Sequence, residues 1–180
     1  MAKSIYVIFS HSGTIPSKII RKVTRKTYSH VSIATSDDIT TMYSFARRYI
    51  YNPFNSGFVL ESVNKGLFAK LPNIACRIYK LEVSDLEYKK VKKIINRFKR
   101  KQNLLKYNFI GLISPVLNIP FTPKDSYFCS QFVSEVLVDS GILKLDKNPV
   151  CISPGDLENY ISSDVMYEGN LKTAFTKVSA

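Results

Sequence analysis

The first half of the chain alternates hydrophobic and polar positions in the way that is typical of strands. Residues 4–9 are β-branched and aromatic and predict a buried strand. Residues 28–34 alternate, so that Val31 and Ile33 point to one side and His30, Ser32 and Ala34 to the other. A turn at residues 36–38 predicts a hairpin. The other predicted elements are a return strand at 39–45, a helix from residue 16, a loop at 52–57, and strands at 58–61 and 74–81.

The second half has the periodicity of helices. Ser84 and Glu87 form a capping box at the start of a helix that is predicted to run to about Gln102. Another helix is predicted from Cys129, with a buried stripe at i, i+3 and i+4 spacing and Gly141 as its left-handed stop. Residues 107–120 are apolar but broken by glycine and proline, too short to span a bilayer, and fit a short helix or loop beside a cleft. The remaining predictions are a helix from residues 153–154 and a hairpin over residues 165–175.

Composition adds a strong positive charge. The 180 residues include 26 basic and 14 acidic side chains, a net charge of +12, which favours an anionic partner. We expect a small-molecule, peptide or lipid-derived substrate that is anionic, with contact to a membrane or cell-wall surface. Nucleic acid is disfavoured, because the lysine-rich helix after Ser84 lacks interleaved aromatic residues and the chain has no nucleic-acid fold signature. The N-terminal apolar run is too short for a signal peptide, which predicts a cytoplasmic protein.

The candidate chemistry centres on one of three cysteines. An odd number of cysteines and the absence of a CxxC pair argue against disulfides and a zinc site. Cys129 begins a helix, where unpaired N–H groups and the helix dipole lower a thiol pKa, although a buried core thiol is the plainer interpretation. His30 lies on a strand face with Ser32 and Ala34, whose small side chains leave room in front of an imidazole.

Two motifs together carry a family resemblance. Tyr-Ser-His-Val-Ser-Ile-Ala at 28–34 and Cys-Ser-Gln-Phe at 129–132, with the histidine before the cysteine, resemble the circularly permuted branch of the NlpC/P60 papain-like superfamily, specifically its YiiX/YaeF-like proteins. Lecithin:retinol acyltransferase-like proteins share that order. The resemblance implies an α+β permuted papain-like fold in a single domain over residues 1–180, with an antiparallel sheet or small barrel packed against helices.

The same resemblance implies a cysteine amidase or peptidase. Cys129 would attack a carbonyl carbon, His30 would act as general base, and a thioester intermediate would form without any cofactor or metal. A third polar residue on the next strand would orient the imidazole. We expect Ser44 in this role, with Tyr43 and the carboxylate of Glu61 as alternatives.

Other functions remain open at this point. A lipid acyltransferase or lipase of the same fold is one alternative. A catalytically silent anion-binding module is another, supported by the lack of a strong third residue on the matching strand. The last is a basic nucleic-acid-binding protein in which Cys129 is part of the core.

Overall fold

A computed structural model describes residues 3–11, 27–36, 39–49 and 52–178. The strands are β1 Lys3–His11, β2 His30–Ala34, β3 Thr41–Tyr49, β4 Asn52–Ser62, β5 Ala75–Val83, β6 Lys106–Tyr107, β7 Ser126–Tyr127 and β8 Val165–Asn170. The α-helices are α1 Gly66–Lys70, α2 Asp85–Lys101, α3 Ser114–Leu117, α4 Cys129–Ser140, α5 Pro154–Tyr160 and α6 Leu171–Val178. Short 3₁₀ helices span Ile110–Ile113 and Pro149–Cys151.

Six strands form one antiparallel sheet in the order β4-β3-β2-β1-β5-β8. Because side chains alternate along each strand, the sheet has two faces, and each carries a hydrophobic cluster. On one face Phe9, Val31 and Phe45 pack with Phe98 of α2 and Phe132 of α4. The predicted mixed α+β class, with an antiparallel sheet packed against helices, is confirmed.

The opposite face carries the second cluster. Ile8, Ala34 and Ile78 from the sheet pack with Phe68 of α1 and Leu171 of α6. Helices therefore cover both faces of the sheet. Among the residues that the structure describes, no helix has the length and apolarity needed to cross a bilayer.

The helix-ending and helix-starting residues act as the sequence predicts. Ser84 caps α2 by accepting from the Glu87 N–H, while the Glu87 carboxylate accepts from the Ser84 N–H. Helix α4 starts at Cys129 and ends at Gly141, whose φ of 89° is a left-handed conformation that glycine adopts without a Cβ penalty. The predicted helix from residue 16 and part of the hairpin turn at residues 36–38 lie outside the described residues.

Two local predictions are wrong. The segment expected as a loop at residues 52–57 is the first half of the edge strand β4, where proline is tolerated because an edge has one unpaired side. Gly57 belongs to this strand, and a Cβ there would lie 2.4 Å from the Leu105 carbonyl oxygen. The final hairpin is instead strand β8, paired with β5, followed by helix α6.

Candidate active site

The candidate site forms where β2 begins and α4 begins. His30 is the first residue of β2, and Cys129 is the first residue of α4. Tertiary packing brings the two side chains together. Their proximity is seen in the pKa of His30, to which the Cys129 side chain contributes. The structure thus unites the two sequence-predicted residues, Cys129 and His30, at one point. The two residues are far apart in the sequence, so only the fold makes them neighbours.

A carboxylate holds the far side of the imidazole. His30 Nε2 lies 2.9 Å from Oε1 and 3.0 Å from Oε2 of Glu61. Ser32 donates to Glu61 Oε2 at 2.5 Å, which fixes the carboxylate beside the ring. Because Nε2 is engaged by Glu61, Nδ1 is the ring nitrogen left for Cys129.

The choice of Ser44 as the orienting residue is wrong. Its hydroxyl is fully buried and donates to the Val31 carbonyl oxygen at 2.7 Å. The hydroxyl therefore hydrogen-bonds the backbone of β2 and not the imidazole. Tyr43 also lies away from the role, since it stands opposite Ile33 and its ring stacks on Phe58. Glu61, the alternative carboxylate, is the residue that contacts the imidazole.

The surroundings of His30 favour its protonated form. Burial is the largest influence and lowers the pKa, but the Glu61 charge and the hydrogen bonds with Cys129 and Glu61 outweigh it. The pKa of His30 is therefore raised well above its usual 6.5. An imidazolium between a carboxylate and a thiol is the arrangement that stabilises a thiolate.

Tyr107 is a member of the site that sequence reasoning missed. Its phenol lies beside the Cys129 side chain, and burial, followed by the Cys129 charge, raises its pKa well above 10. The phenol therefore stays protonated and can donate. Strand β6 delivers it by pairing in parallel with β7, so that Tyr107 faces Tyr127, two residues before Cys129. Two-residue strands leave no periodicity in a sequence, so no signal in the chain marked this contact. Cys129, His30, Glu61 and Tyr107 are called the thiol cluster below.

The N-terminus of α4 opens on a narrow pocket. Phe128 at the N-cap position offers no capping side chain, so the first N–H groups of the helix are not capped by it. Cys129, Ser130 and Ser29 line the pocket with Leu112 and Pro115 from the segment before β7. The Ser130 hydroxyl is buried with no hydrogen-bond partner among the described residues. Uncapped N–H groups at a helix start beside a pocket can stabilise a developing negative charge.

The other two cysteines have different surroundings. Burial raises the pKa of Cys76, in β5, to about 12, and burial also raises the pKa of Cys151. Among the described residues no group of three or more His, Cys, Asp or Glu side chains is arranged to hold a metal ion. The cysteines therefore differ chiefly in that Cys129 has an imidazole beside it.

Comparisons of the chain with protein-family models, curated proteins and solved structures found no match. The chemistry of the site is accordingly inferred from its own side chains.

Proposed function

We propose that this protein is a cysteine hydrolase that cleaves an amide bond through a thioester intermediate, on a circularly permuted NlpC/P60-like, papain-like fold. The observation that carries the proposal is the chain of contacts from Glu61 through His30 to Cys129 at a helix start. A partly buried carboxylate, an imidazole and a thiol in this order are the parts of an activated nucleophile and its base. The order of the histidine strand before the cysteine helix supports the permuted fold.

The steps follow from the positions of the side chains. The thiol proton of Cys129 lies on His30 in a thiolate–imidazolium pair, which the raised pKa of His30 favours, and the Cys129 thiolate attacks the carbonyl carbon of the substrate. The resulting oxyanion lies within reach of the first N–H groups of α4, with Tyr107 as a further donor. His30 then protonates the leaving amine as the carbon–nitrogen bond breaks. Neutral His30 then takes a proton from water as the water oxygen attacks the thioester carbon. The carbon–sulfur bond breaks, the carboxylic acid leaves and the thiolate–imidazolium pair is restored, while Glu61 holds the ring in place.

A lipid ester is a second candidate substrate, in which case the protein would be a lipase or, with a second acceptor, an acyltransferase. Leu112 and Pro115 favour it, because they place apolar surface at the pocket that Cys129 lines. The thiol chemistry is the same for both substrate classes, since each begins with attack on a carbonyl carbon. The leaving group, an amine or an alcohol, is what differs.

Alkylation of the full chain with iodoacetamide tests the nucleophile. At neutral pH we expect Cys129 to be carboxamidomethylated at least about tenfold faster than Cys76 and Cys151, since burial raises the pKa of both of these thiols, to about 12 in Cys76, and keeps them protonated. Peptide mass spectrometry follows each cysteine separately. The variant His30→Ala should remove the advantage of Cys129, and Cys151→Ala is the matched control that should leave it intact.

Acyl transfer gives the second readout. Incubation with p-nitrophenyl acetate should release nitrophenolate and leave an acetyl group on Cys129, and Cys129→Ala should release none above the background. Alkylation of Cys129 at the same rate as Cys76 would contradict the proposal and favour a catalytically silent binding module.

A further inference from the structure

A compact apolar projection stands beside the pocket of Cys129. We call residues 109–121 the apolar lobe; it contains the 3₁₀ helix Ile110–Ile113, helix α3 and the loop after it. Most of the large hydrophobic side chains that are exposed among the described residues belong to this lobe. The most exposed are 51% to 64% accessible: Ile110, Ile113, Val116, Leu117 and Ile119. Contiguous exposed aliphatic surface of this kind marks an interaction site.

Hydrogen bonds within the lobe and from the neighbouring Asn108 fix the backbone of the lobe. The buried Asn108 side chain accepts from the Gly111 N–H at 2.7 Å and donates to the Phe121 carbonyl oxygen at 2.9 Å. Ser114 Oγ accepts from the Phe121 N–H at 3.2 Å. Gly111 leaves the space for Asn108, because a Cβ at that position would lie 2.1 Å from Asn108 Nδ2. The lobe thus satisfies key backbone groups internally and presents its aliphatic side chains to the outside.

The lobe and the thiol cluster share elements. Strands β6 and β7 pair just before and just after the lobe, and they also carry Tyr107 and lead into Cys129. Leu112 and Pro115, which belong to the lobe, line the pocket of Cys129. Whatever covers the lobe therefore also lies next to the opening of the pocket.

The segment that contains the lobe carries charges of a single sign. No acidic residue occurs between Glu87 and Asp125, a stretch that includes most of the lysine-rich helix α2 and the whole lobe. Lys106 and Lys124 are exposed at its two ends. The chain as a whole carries a net charge of +12. Aliphatic side chains framed by lysines combine the two contributions that stable binding to an anionic bilayer needs.

We propose that the apolar lobe docks on the surface of an anionic phospholipid bilayer and brings the pocket of Cys129 to the membrane. The aliphatic side chains enter the boundary between headgroups and acyl chains, and Lys106 and Lys124 lie on the lipid phosphates. A protein partner fits less well, because the most exposed side chains of the lobe are aliphatic, whereas protein interfaces are anchored by tyrosine, tryptophan and arginine. Docking depends on the lobe and its two flanking lysines, and it does not require that Cys129 be catalytic.

Vesicle flotation with the full chain tests the docking. We expect the protein to float with phosphatidylglycerol–phosphatidylcholine vesicles and to stay in solution with pure phosphatidylcholine. The double variant Ile110→Ser/Leu117→Ser should bind at least about tenfold more weakly, since two exposed aliphatic anchors are lost. Leu86→Ser is the matched control, because Leu86 is as exposed as Ile110, at 64%, but lies at the start of α2.

Charge and catalysis are separated by two further variants. Lys106→Gln/Lys124→Gln should weaken binding by about fivefold for each lysine removed, and added salt should have the same effect. Cys129→Ala should float like the wild type, which distinguishes docking from the proposed hydrolysis. The proposal is overturned if anionic vesicles fail to bind the protein, if they bind it no better than pure phosphatidylcholine, or if the Ile110→Ser/Leu117→Ser variant binds like the wild type while keeping its circular dichroism spectrum.

Discussion

Two polar clusters lie against the same sheet, and they differ in how completely their groups are paired. In the arginine cluster, Arg77 donates to both oxygens of Glu168 and to Glu158 at 3.0 Å. Tyr28 donates to Glu168 and Tyr79 donates to Glu158, while the Arg77 guanidinium lies over the Tyr28 ring. Each charge in this cluster meets an opposite charge or a donor, and no nucleophile is among its members.

In the thiol cluster, the His30 imidazole has a charged partner on one side only. Glu61 and Ser32 fix the imidazole of His30 from one direction, and the other direction leads to Cys129 and the pocket. The comparison teaches that a carboxylate hydrogen-bonded at the sheet can either stabilise the structure or orient a reactive group. In the arginine cluster the carboxylates contact another charged group. In the thiol cluster the contacts lead from a carboxylate through an imidazole to a nucleophile beside a pocket.

Replacing Glu61 should have the largest effect on the thiol cluster. In Glu61→Gln the imidazole loses the charge that raises its pKa, so the pKa of His30 should fall towards 6.5. We expect hydrolysis of p-nitrophenyl acetate to slow by about a hundredfold, because His30 remains but loses the charge that orients it and raises its pKa. NMR titration of His30 in the Cys129→Ala background measures the pKa directly.

The pH dependence of stability offers an independent check on Glu61. Because the folded-state pKa of His30 lies above its unfolded value of about 6.5, the pair stabilises the fold fully below that pH. The contribution is lost as the pH rises through the folded-state pKa. The wild type should therefore exceed Glu61→Gln in melting temperature most at about pH 5–6, and the gap should close at higher pH. A gap that widens with pH would contradict the His30–Glu61 assignment.

Breaking the arginine cluster should alter stability and leave reactivity unchanged. Arg77→Met removes the cation beside the Glu158 carboxylate, which is only 15% exposed and keeps Tyr79 as a donor, and we expect a loss of about 1–2 kcal/mol in the free energy of unfolding. Urea denaturation measures it. Lys89→Met is the matched control, because the Lys89–Asp85 pair is exposed and should contribute nothing measurable. A slower alkylation of Cys129 in Arg77→Met would show that the two clusters are coupled.

The smallest effect is expected at Ser44. Ser44→Ala removes the buried donor to the Val31 carbonyl and should cost about 1 kcal/mol of stability. Nitrophenolate release should match the wild type, because the hydroxyl does not contact His30. If Ser44→Ala reduced the rate as strongly as Glu61→Gln, Ser44 would regain the role that the sequence suggested.

Local signals in the sequence were sufficient for most elements. The capping box at Ser84, the glycine stop at Gly141 and the alternation of Val31 and Ile33 each depend on neighbours within a few residues, and each appears in the structure. The helix-start position of Cys129 is of the same kind. The error at residues 165–175 concerns a strand whose partner, β5, comes from a distant part of the chain. The error at residues 52–57 has another cause, because proline and glycine there are typical of a loop although the segment pairs with the neighbouring strand β3.

The third member of the site could not be predicted for a related reason. A strand register fixes which side chains meet, and it is set by packing over the whole sheet. Ser44 is nearer to His30 along the chain, but its hydroxyl is taken by a carbonyl of β2, while Glu61 reaches the imidazole from β4. Tyr107 is placed in the site by the parallel pairing of β6 with β7, and strands of two residues produce no periodicity in the sequence.

By itself, therefore, the sequence determined that a cysteine begins a helix and that a histidine begins a strand with small neighbours. Those features follow from caps and side-chain alternation, which act over a few residues. Only the tertiary structure decided that the two meet, that Glu61 stands behind the imidazole, and that an apolar lobe borders the pocket. These three features depend on strand pairing and burial between distant parts of the chain. The stabilising free energy comes from the whole core, so no local sequence pattern predicts them.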